Sequence, residues 1–142
     1  MSVVVDTNVV AYYLLETEPF TRECALFWRG AREVYAPMSW EIELVNTVWL
    51  AIGAGVLDLG EGIERLRLGA QLGINSVPVA GLWEGTLTRA TAANHPAYDT
   101  VFVELAVRLR KPLVTFDQGL LRQFPDTAIR PRQFTRGSGP PE

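Results

Sequence analysis

Four acidic residues are placed so that they could act together on one substrate. Asp6 follows a run of three valines, and Asp117 follows the apolar run at residues 113–116. Both runs predict buried strands of a parallel sheet, and the carboxyl ends of such strands lie along one edge. Asp99 and Glu43 fall near the starts of two predicted helices. If these helices begin above the same edge, the four carboxylates meet there.

Carboxylates in one cleft repel one another unless something offsets their charge. At about 4 Å the repulsion between two of them is several kcal/mol at an effective dielectric constant near 20. Either their pKa values rise or a cation binds. A set of oxygen ligands selects Mg²⁺ or Mn²⁺ over zinc. Such an ion activates water and polarises a phosphoryl oxygen, so the pattern favours hydrolysis of phosphodiesters.

Strands and helices alternate along the chain, which predicts an α/β domain with a mainly parallel sheet. Asp58 and Glu61 form a predicted capping box before one of the helices. The predicted strands are 2–5, 33–36, 76–79, 113–116 and 128–129. The predicted helices are 9–16, 19–32, 39–52, 58–72, 81–93, 96–110 and 118–124. In the third helix, the predicted apolar stripe is Ile42, Val45, Trp49 and Ile52.

Composition favours a single globular protein. The 142 residues are 48% hydrophobic and 20% charged, which suits one domain over 1–134 with a disordered tail at 135–142. The net charge of -3 argues against a general polyanion binder. A lone cysteine, Cys24, excludes a disulfide framework. Without a signal sequence or a membrane-length apolar segment, we expect a cytoplasmic protein that makes no contact with membrane.

The four acidic segments resemble the motifs of the PIN-domain family. They read VVVDTN at 3–8, ELVN at 43–46, YDT at 98–100 and PLVTFD at 112–117. Their order and context are similar to the VapC branch, the toxins of VapBC toxin–antitoxin pairs. The resemblance implies a three-layer α/β/α sandwich and a Mg²⁺- or Mn²⁺-dependent endoribonuclease. It also implies an RNA substrate, a homodimer and a VapB-like antitoxin partner.

Carried over position by position, the resemblance implies roles for individual residues. The acids that would hold the metal and form the catalytic set are Asp6, Glu43, Asp99 and Asp117. Of these, Glu43 would bind the ion directly or through water. Asn8 and Thr115 would orient the carboxylates and waters, as groups behind a metal site do.

Three residues have competing interpretations. Asp117 also suits the N-cap of the helix that follows it. Glu41 competes with Glu43, but two positions apart on a helix they point to nearly opposite sides, and the motif favours Glu43. His95, the only histidine, lies between Asn94 and Pro96 and is interpreted as a loop residue rather than a catalytic group.

Other functions compatible with an acid after the first strand stay open. An aspartyl-phosphate phosphatase would have a second acid at the position of Asn8, which argues against that class. A PIN-like module could bind RNA or a protein without turning it over. A receiver-type signalling domain is a weaker alternative, because the segment at 115–117, Thr-Phe-Asp, offers no lysine to contact a phosphate.

Overall fold

The computed structural model describes residues 2–137, in which parallel strands alternate with helices. The strands are Ser2–Val5 (β1), Glu33–Pro37 (β2), Asn75–Val77 (β3), Leu113–Val114 (β4) and Ala128–Ile129 (β5). The helices are Thr7–Leu14 (α1), Thr21–Gly30 (α2), Trp40–Gly53 (α3), Leu59–Ala70 (α4), Trp83–Ala93 (α5), Ala97–Leu109 (α6), Gln118–Gln123 (α7) and Pro131–Gly137 (α8). One 3₁₀ turn, Val79–Leu82, precedes α5.

The five strands form one all-parallel sheet in the order β3-β2-β1-β4-β5. The central strand β1 is buried on both faces, and Val3, Val4 and Val5 have no exposed surface. A run of β-branched residues suits this position because their stiff side chains pack well on a pleated surface. The sheet expected from the sequence is therefore confirmed.

Helices cover the sheet in two groups. Helices α1, α2, α3, α4 and α8 contact one another, whereas α6 packs against β1, β2 and β4 and pairs with α5. Right-handed crossovers place the first group, which links β1, β2 and β3, on the face opposite α5 and α6. The arrangement is the expected three-layer α/β/α sandwich.

The strand order reverses beside β1, because the chain proceeds from β1 to β2 on one side and reaches β4 on the other. In open α/β sheets a crevice forms outside the carboxyl ends of the strands at such a point. Asp6 directly follows β1, and Asp117 lies three residues beyond β4. The fold therefore brings these two acids to the same crevice.

Several elements differ from the sequence-based predictions. Strand β4 is shorter than predicted and forms ladder pairs only at Leu113 and Val114, although the backbone N–H of Thr115 still donates to Ile129 O at 2.9 Å. Helix α8 was not predicted, and it includes the first three residues of the expected tail. Residues 138–142 of that tail lie outside the described residues. Between residues 2 and 137, no helix combines the length and apolarity needed to cross a membrane.

The apolar stripe predicted for α3 is largely exposed. Ile42 is 68% exposed and Trp49 is 65% exposed, whereas Leu44 and Val48 face the core. Both sides of this helix are apolar, so periodicity alone could not identify the buried one. The exposed side, which includes Val45, is therefore an apolar surface.

Candidate active site

Asp6 is held at the end of β1 by three hydrogen bonds. Its Oδ1 accepts from the backbone N–H of Thr7 at 2.8 Å, which caps α1. Its Oδ2 accepts from Thr115 Oγ1 at 2.7 Å and from Asn8 Nδ2 at 3.3 Å. Parallel pairing of Val5 with Val114 brings Asp6 and Thr115 side by side. The Asp6 carboxylate is therefore held by residues that follow β1 and β4.

Thr115 and Asn8 also hold the segment that leads to Asp117. Thr115 Oγ1 accepts from the backbone N–H of Asp117 at 2.9 Å, while donating to Asp6. Asn8 Oδ1 accepts from the backbone N–H of Phe116 at 3.3 Å. These two residues both contact the Asp6 carboxylate, and they tie the ends of β1 and β4 together.

Asp117 caps α7 and faces the same crevice. Its Oδ1 accepts from the backbone N–H of Leu120 at 2.9 Å, which is the structural role considered from the sequence. Only one of its two oxygens makes this bond, and its charge acts on both Asp6 and Asp99. Capping and participation in the acidic site are therefore compatible.

Glu43, rather than Glu41, points to the crevice. Thr7 Oγ1 donates to Glu43 Oε1 at 3.4 Å, which links the first turn of α3 to the first turn of α1. Glu41 instead accepts from Ser76 Oγ at 3.0 Å on the exposed rim of β3. The opposite orientations expected for positions two apart on a helix are observed. The contact from Thr7 was not anticipated.

Asp99 lies in the first turn of α6 with its side chain 38% exposed. His95 Nε2 is 3.3 Å from Asp99 Oδ2, and the His95 side chain is only 11% exposed. The interpretation of His95 as a residue of a loop alone was incomplete, because its imidazole packs beside this acid. His95 precedes the N-cap Pro96 and lies outside α6, so helical spacing gave no signal for this contact.

Burial and mutual repulsion raise the pKa values of three of these acids. Loss of hydration raises the pKa of Asp6 to about 6, with added repulsion from Asp99 and Asp117, against the hydrogen bond from Thr115. Burial and the nearby charge of Asp6 raise the pKa of Glu43 to about 7. Burial and Asp117 raise the pKa of Asp99, although His95 opposes this shift. The four carboxyl groups therefore share one electrostatic environment.

The donor set suits a hard divalent cation in chemistry and charge. Across residues 2–135, no arginine or lysine forms an ion pair with these four carboxylates. In the same part of the chain, no three acidic, histidine or cysteine side chains are arranged to coordinate an ion as they stand. Oxygen donors with uncompensated charge fit Mg²⁺ or Mn²⁺. Coordination by several of them together requires the side chains to draw closer.

Comparisons with known proteins bear on the fold. No family model and no curated protein sequence matches the chain. Among solved structures, it is similar to a chain of VapBC2 from Rickettsia felis bound to a DNA fragment from their promoter. The TM-score is 0.64 at 12% sequence identity, and the match covers 92% of this chain and 98% of that one. The likeness shows a shared fold, in agreement with the expected PIN-like architecture.

Proposed function

We propose that the chain is a metal-dependent endoribonuclease, the toxin of a VapBC-type toxin–antitoxin pair. The observation that supports this most directly is the convergence of four carboxylates from distant segments at the switch point of the sheet. They share an environment that raises the pKa values of three of them and contains no lysine or arginine partner in the described chain. The shared fold with a chain of VapBC2 supports the toxin–antitoxin assignment.

The site residues would hold Mg²⁺ or Mn²⁺ and place it against an RNA phosphate. Asp6, Asp99 and Asp117 would bind the ion, and Glu43 would bind it directly or through water. When bound, such an ion activates water for attack on phosphorus and offsets charge on the leaving oxygen. Thr115 and Asn8 both donate hydrogen bonds to Asp6 Oδ2, which orients this ligand.

A comparison of two glutamates two residues apart on α3 tests the assignment. Glu43→Gln removes a carboxylate from the crevice, whereas Glu41→Gln changes an exposed acid that contacts Ser76. We expect Glu43→Gln to lower Mn²⁺-dependent RNA cleavage at least about 100-fold, in the range reported for groups that act on the transition state. Glu41→Gln should retain the wild-type rate.

Asp6→Asn and Asp99→Asn should abolish cleavage while circular dichroism shows an unchanged fold.

The substrates and metal conditions distinguish this function from binding without turnover. The wild-type chain is incubated with single-stranded RNA and with DNA of the same sequence, with Mn²⁺, with Mg²⁺ or with EDTA. The proposal predicts RNA cleavage that EDTA abolishes and that added metal restores. RNA affinity without cleavage under any of these conditions would instead support a binding module.

The antitoxin partner is supported by a groove on the face away from α5 and α6. Two adjoining cavities share Tyr13, Gln71 and Leu72, and one of them is lined by Arg29 and Arg32. In the described part of the chain these two arginines form no ion pair. The combination of apolar and cationic lining suits a segment with apolar and acidic side chains. A protein encoded next to this chain should inhibit RNA cleavage when the two are expressed together.

A further inference from the structure

His95 is held in place by the junction of two helices. Asn94 ends α5 in the left-handed conformation, with φ 51°. The backbone N–H of His95 then donates to Ala90 O at 3.1 Å, and Thr100 Oγ1 donates to His95 O at 3.4 Å. Pro96 opens α6 directly afterwards. The backbone of His95 is therefore anchored to both helices, and the direction of its side chain is restricted.

The imidazole packs closely against the first turn of α7, at the position of Gly119. A Cβ at Gly119 would lie 3.2 Å from His95 Cε1 and 3.1 Å from Asp117 Oδ1. The other side of the ring meets Phe124 edge-on, with centroids 6.0 Å apart. The ring is thus enclosed by the first turn of α7 and by the residue that ends this helix. A side chain at position 119 would push against both the ring and Asp117.

Asp99 is the polar group that this enclosed imidazole faces. His95 Nε2 is buried and makes no well-aligned hydrogen bond to any residue of the described chain, and Asp99 Oδ2 lies 3.3 Å away. The Asp99 side chain is 38% exposed and has no other side-chain hydrogen bond among residues 2–135. An unrestrained carboxylate on a helix start samples several rotamers, and a donor at this distance reduces their number.

We propose that His95 is a positioning residue, which holds the Asp99 carboxylate beside Asp117 for metal binding. The imidazole packs against Gly119 of α7 and contacts Asp99 of α6. It therefore sets the distance between Asp99 and Asp117, the two proposed metal ligands at the starts of these helices. This role deepens the proposed function and depends on it. His95 itself touches neither substrate nor metal in this proposal.

The contribution of His95 is tested by direct measurement of Mn²⁺ affinity, without RNA. His95→Leu retains an apolar contact with Phe124 but has no donor for Asp99. His95→Gln places an amide nitrogen at a similar distance from the backbone. We expect the His95→Leu variant to bind Mn²⁺ about tenfold more weakly than the wild type, which is the effect typical of groups that orient metal ligands. The His95→Gln variant should retain most of the wild-type affinity. Binding is followed by the electron paramagnetic resonance signal of free Mn²⁺.

Two further variants separate positioning from general loss of stability. Val34→Ala opens a cavity at a core residue of β2, remote from the carboxyl edge between β1 and β4, and lowers stability without touching the acids. It should bind Mn²⁺ as the wild type does. Gly119→Ala should displace the imidazole and weaken binding. It should add less in the His95→Leu background than in the wild type, since the part of its effect that acts through the imidazole is absent there and only the contact with Asp117 remains.

The outcomes distinguish this proposal from the proposed function. Equal Mn²⁺ affinity in the wild type, His95→Leu and Gly119→Ala would overturn the role of His95, even if RNA were cleaved. Weaker binding by His95→Leu with rescue by Gln, in a protein that cleaves no RNA, would support positioning and contradict the nuclease. A folded wild type that binds no Mn²⁺ would contradict both.

Discussion

At the scale of single residues, the acidic site is a place where the free protein is destabilised by its own charges. Asp6 is almost fully buried, yet its hydrogen bonds only partly offset the cost of removing its charge from water. Glu43 has one long hydrogen bond, to Thr7, and its pKa rises further. Sites that bind cations commonly keep such uncompensated charge, because the ion relieves it.

The pKa of Glu43 leads to a prediction about stability and pH. Its pKa is raised from 4.5 to about 7 in the folded chain, so the folded state binds the proton more tightly than the unfolded state. The free energy of unfolding should therefore decrease as the pH rises from about 4.5 through 7. The Glu43→Gln variant should not show this decrease in the free energy of unfolding, because glutamine does not titrate. In EDTA its Tm should exceed that of the wild type by roughly 3–6 °C at about pH 8, and by much less near pH 5.

Thermal unfolding at both pH values, with Glu41→Gln as the control, checks this expectation. Glu41→Gln should show the pH dependence of the wild type, because Glu41 lies on the exposed rim outside the acidic crevice. Added Mn²⁺ should raise the Tm of the wild type more at pH 8 than at pH 5, since protons compete with the ion. A lower Tm for Glu43→Gln at pH 8 in EDTA would contradict the stated cause of the raised pKa.

At the scale of elements, the sequence predicted those whose patterns are local. The valine run of β1 and the capping box at Asp58 and Glu61 both identify their elements without distant contacts, and the structure has both. Helix α8 was missed because it is short and has no long apolar period. Arg130, just before it, forms a bidentate pair with Glu23 of α2, which is distant in sequence. Such an element depends on tertiary contacts that periodicity does not record.

The distinction between local sequence patterns and tertiary contacts also applies to the acidic site. The positions of Asp6 and Asp117 after strands follow from the topology of parallel sheets, so sequence reasoning could place both at one edge. The contact between His95 and Asp99 depends on the packing of α7 over the junction of α5 and α6, and in particular on Gly119. No property of residues 94–96 alone indicates it.

Two of the three glycines of α4, Gly62 and Gly69, lie where this helix packs closely on its neighbours. A Cβ at Gly62 would approach Ile52 Cδ1 to 2.9 Å and Val48 Cγ1 to 3.0 Å, both on α3, whereas a Cβ at Gly60 would contact only Asp58 Oδ1, at 3.4 Å. We therefore expect Gly62→Ala to lower the free energy of unfolding by about 1 kcal/mol through overpacking. Gly60→Ala should raise it by up to about 1 kcal/mol through helix propensity.

Urea unfolding of the two variants side by side provides the measurement, because both make the same chemical change in one helix. If Gly62→Ala stabilised the protein as much as Gly60→Ala does, the close approach of α3 and α4 would be refuted.

At the scale of the whole molecule, much apolar surface remains exposed near the acidic crevice. Trp83 and Leu87 on α5 and Tyr98 on α6 are each more than 60% exposed. With Ser39 and other residues they line a groove of about 390 Å³ whose surface is almost entirely apolar. Contiguous apolar patches of this kind mark protein interfaces in soluble proteins. Asp99 directly follows Tyr98, so a partner on this groove would border the acidic site.

We expect this groove to form the interface of the homodimer that the resemblance to the PIN-domain family implies. A twofold interface repeats the same patch on both chains, so one substitution changes it twice. Trp83→Glu would place two carboxylates in a desolvated apolar contact, and buried aromatic residues commonly dominate such interfaces. Light scattering with gel filtration should give twice the chain mass of 15.8 kDa for the wild type and a single chain mass for Trp83→Glu. Leu26→Glu, at an isolated exposed leucine of α2, should remain dimeric. A monomeric wild type, or a Trp83→Glu variant that stays dimeric, would exclude this groove as the interface.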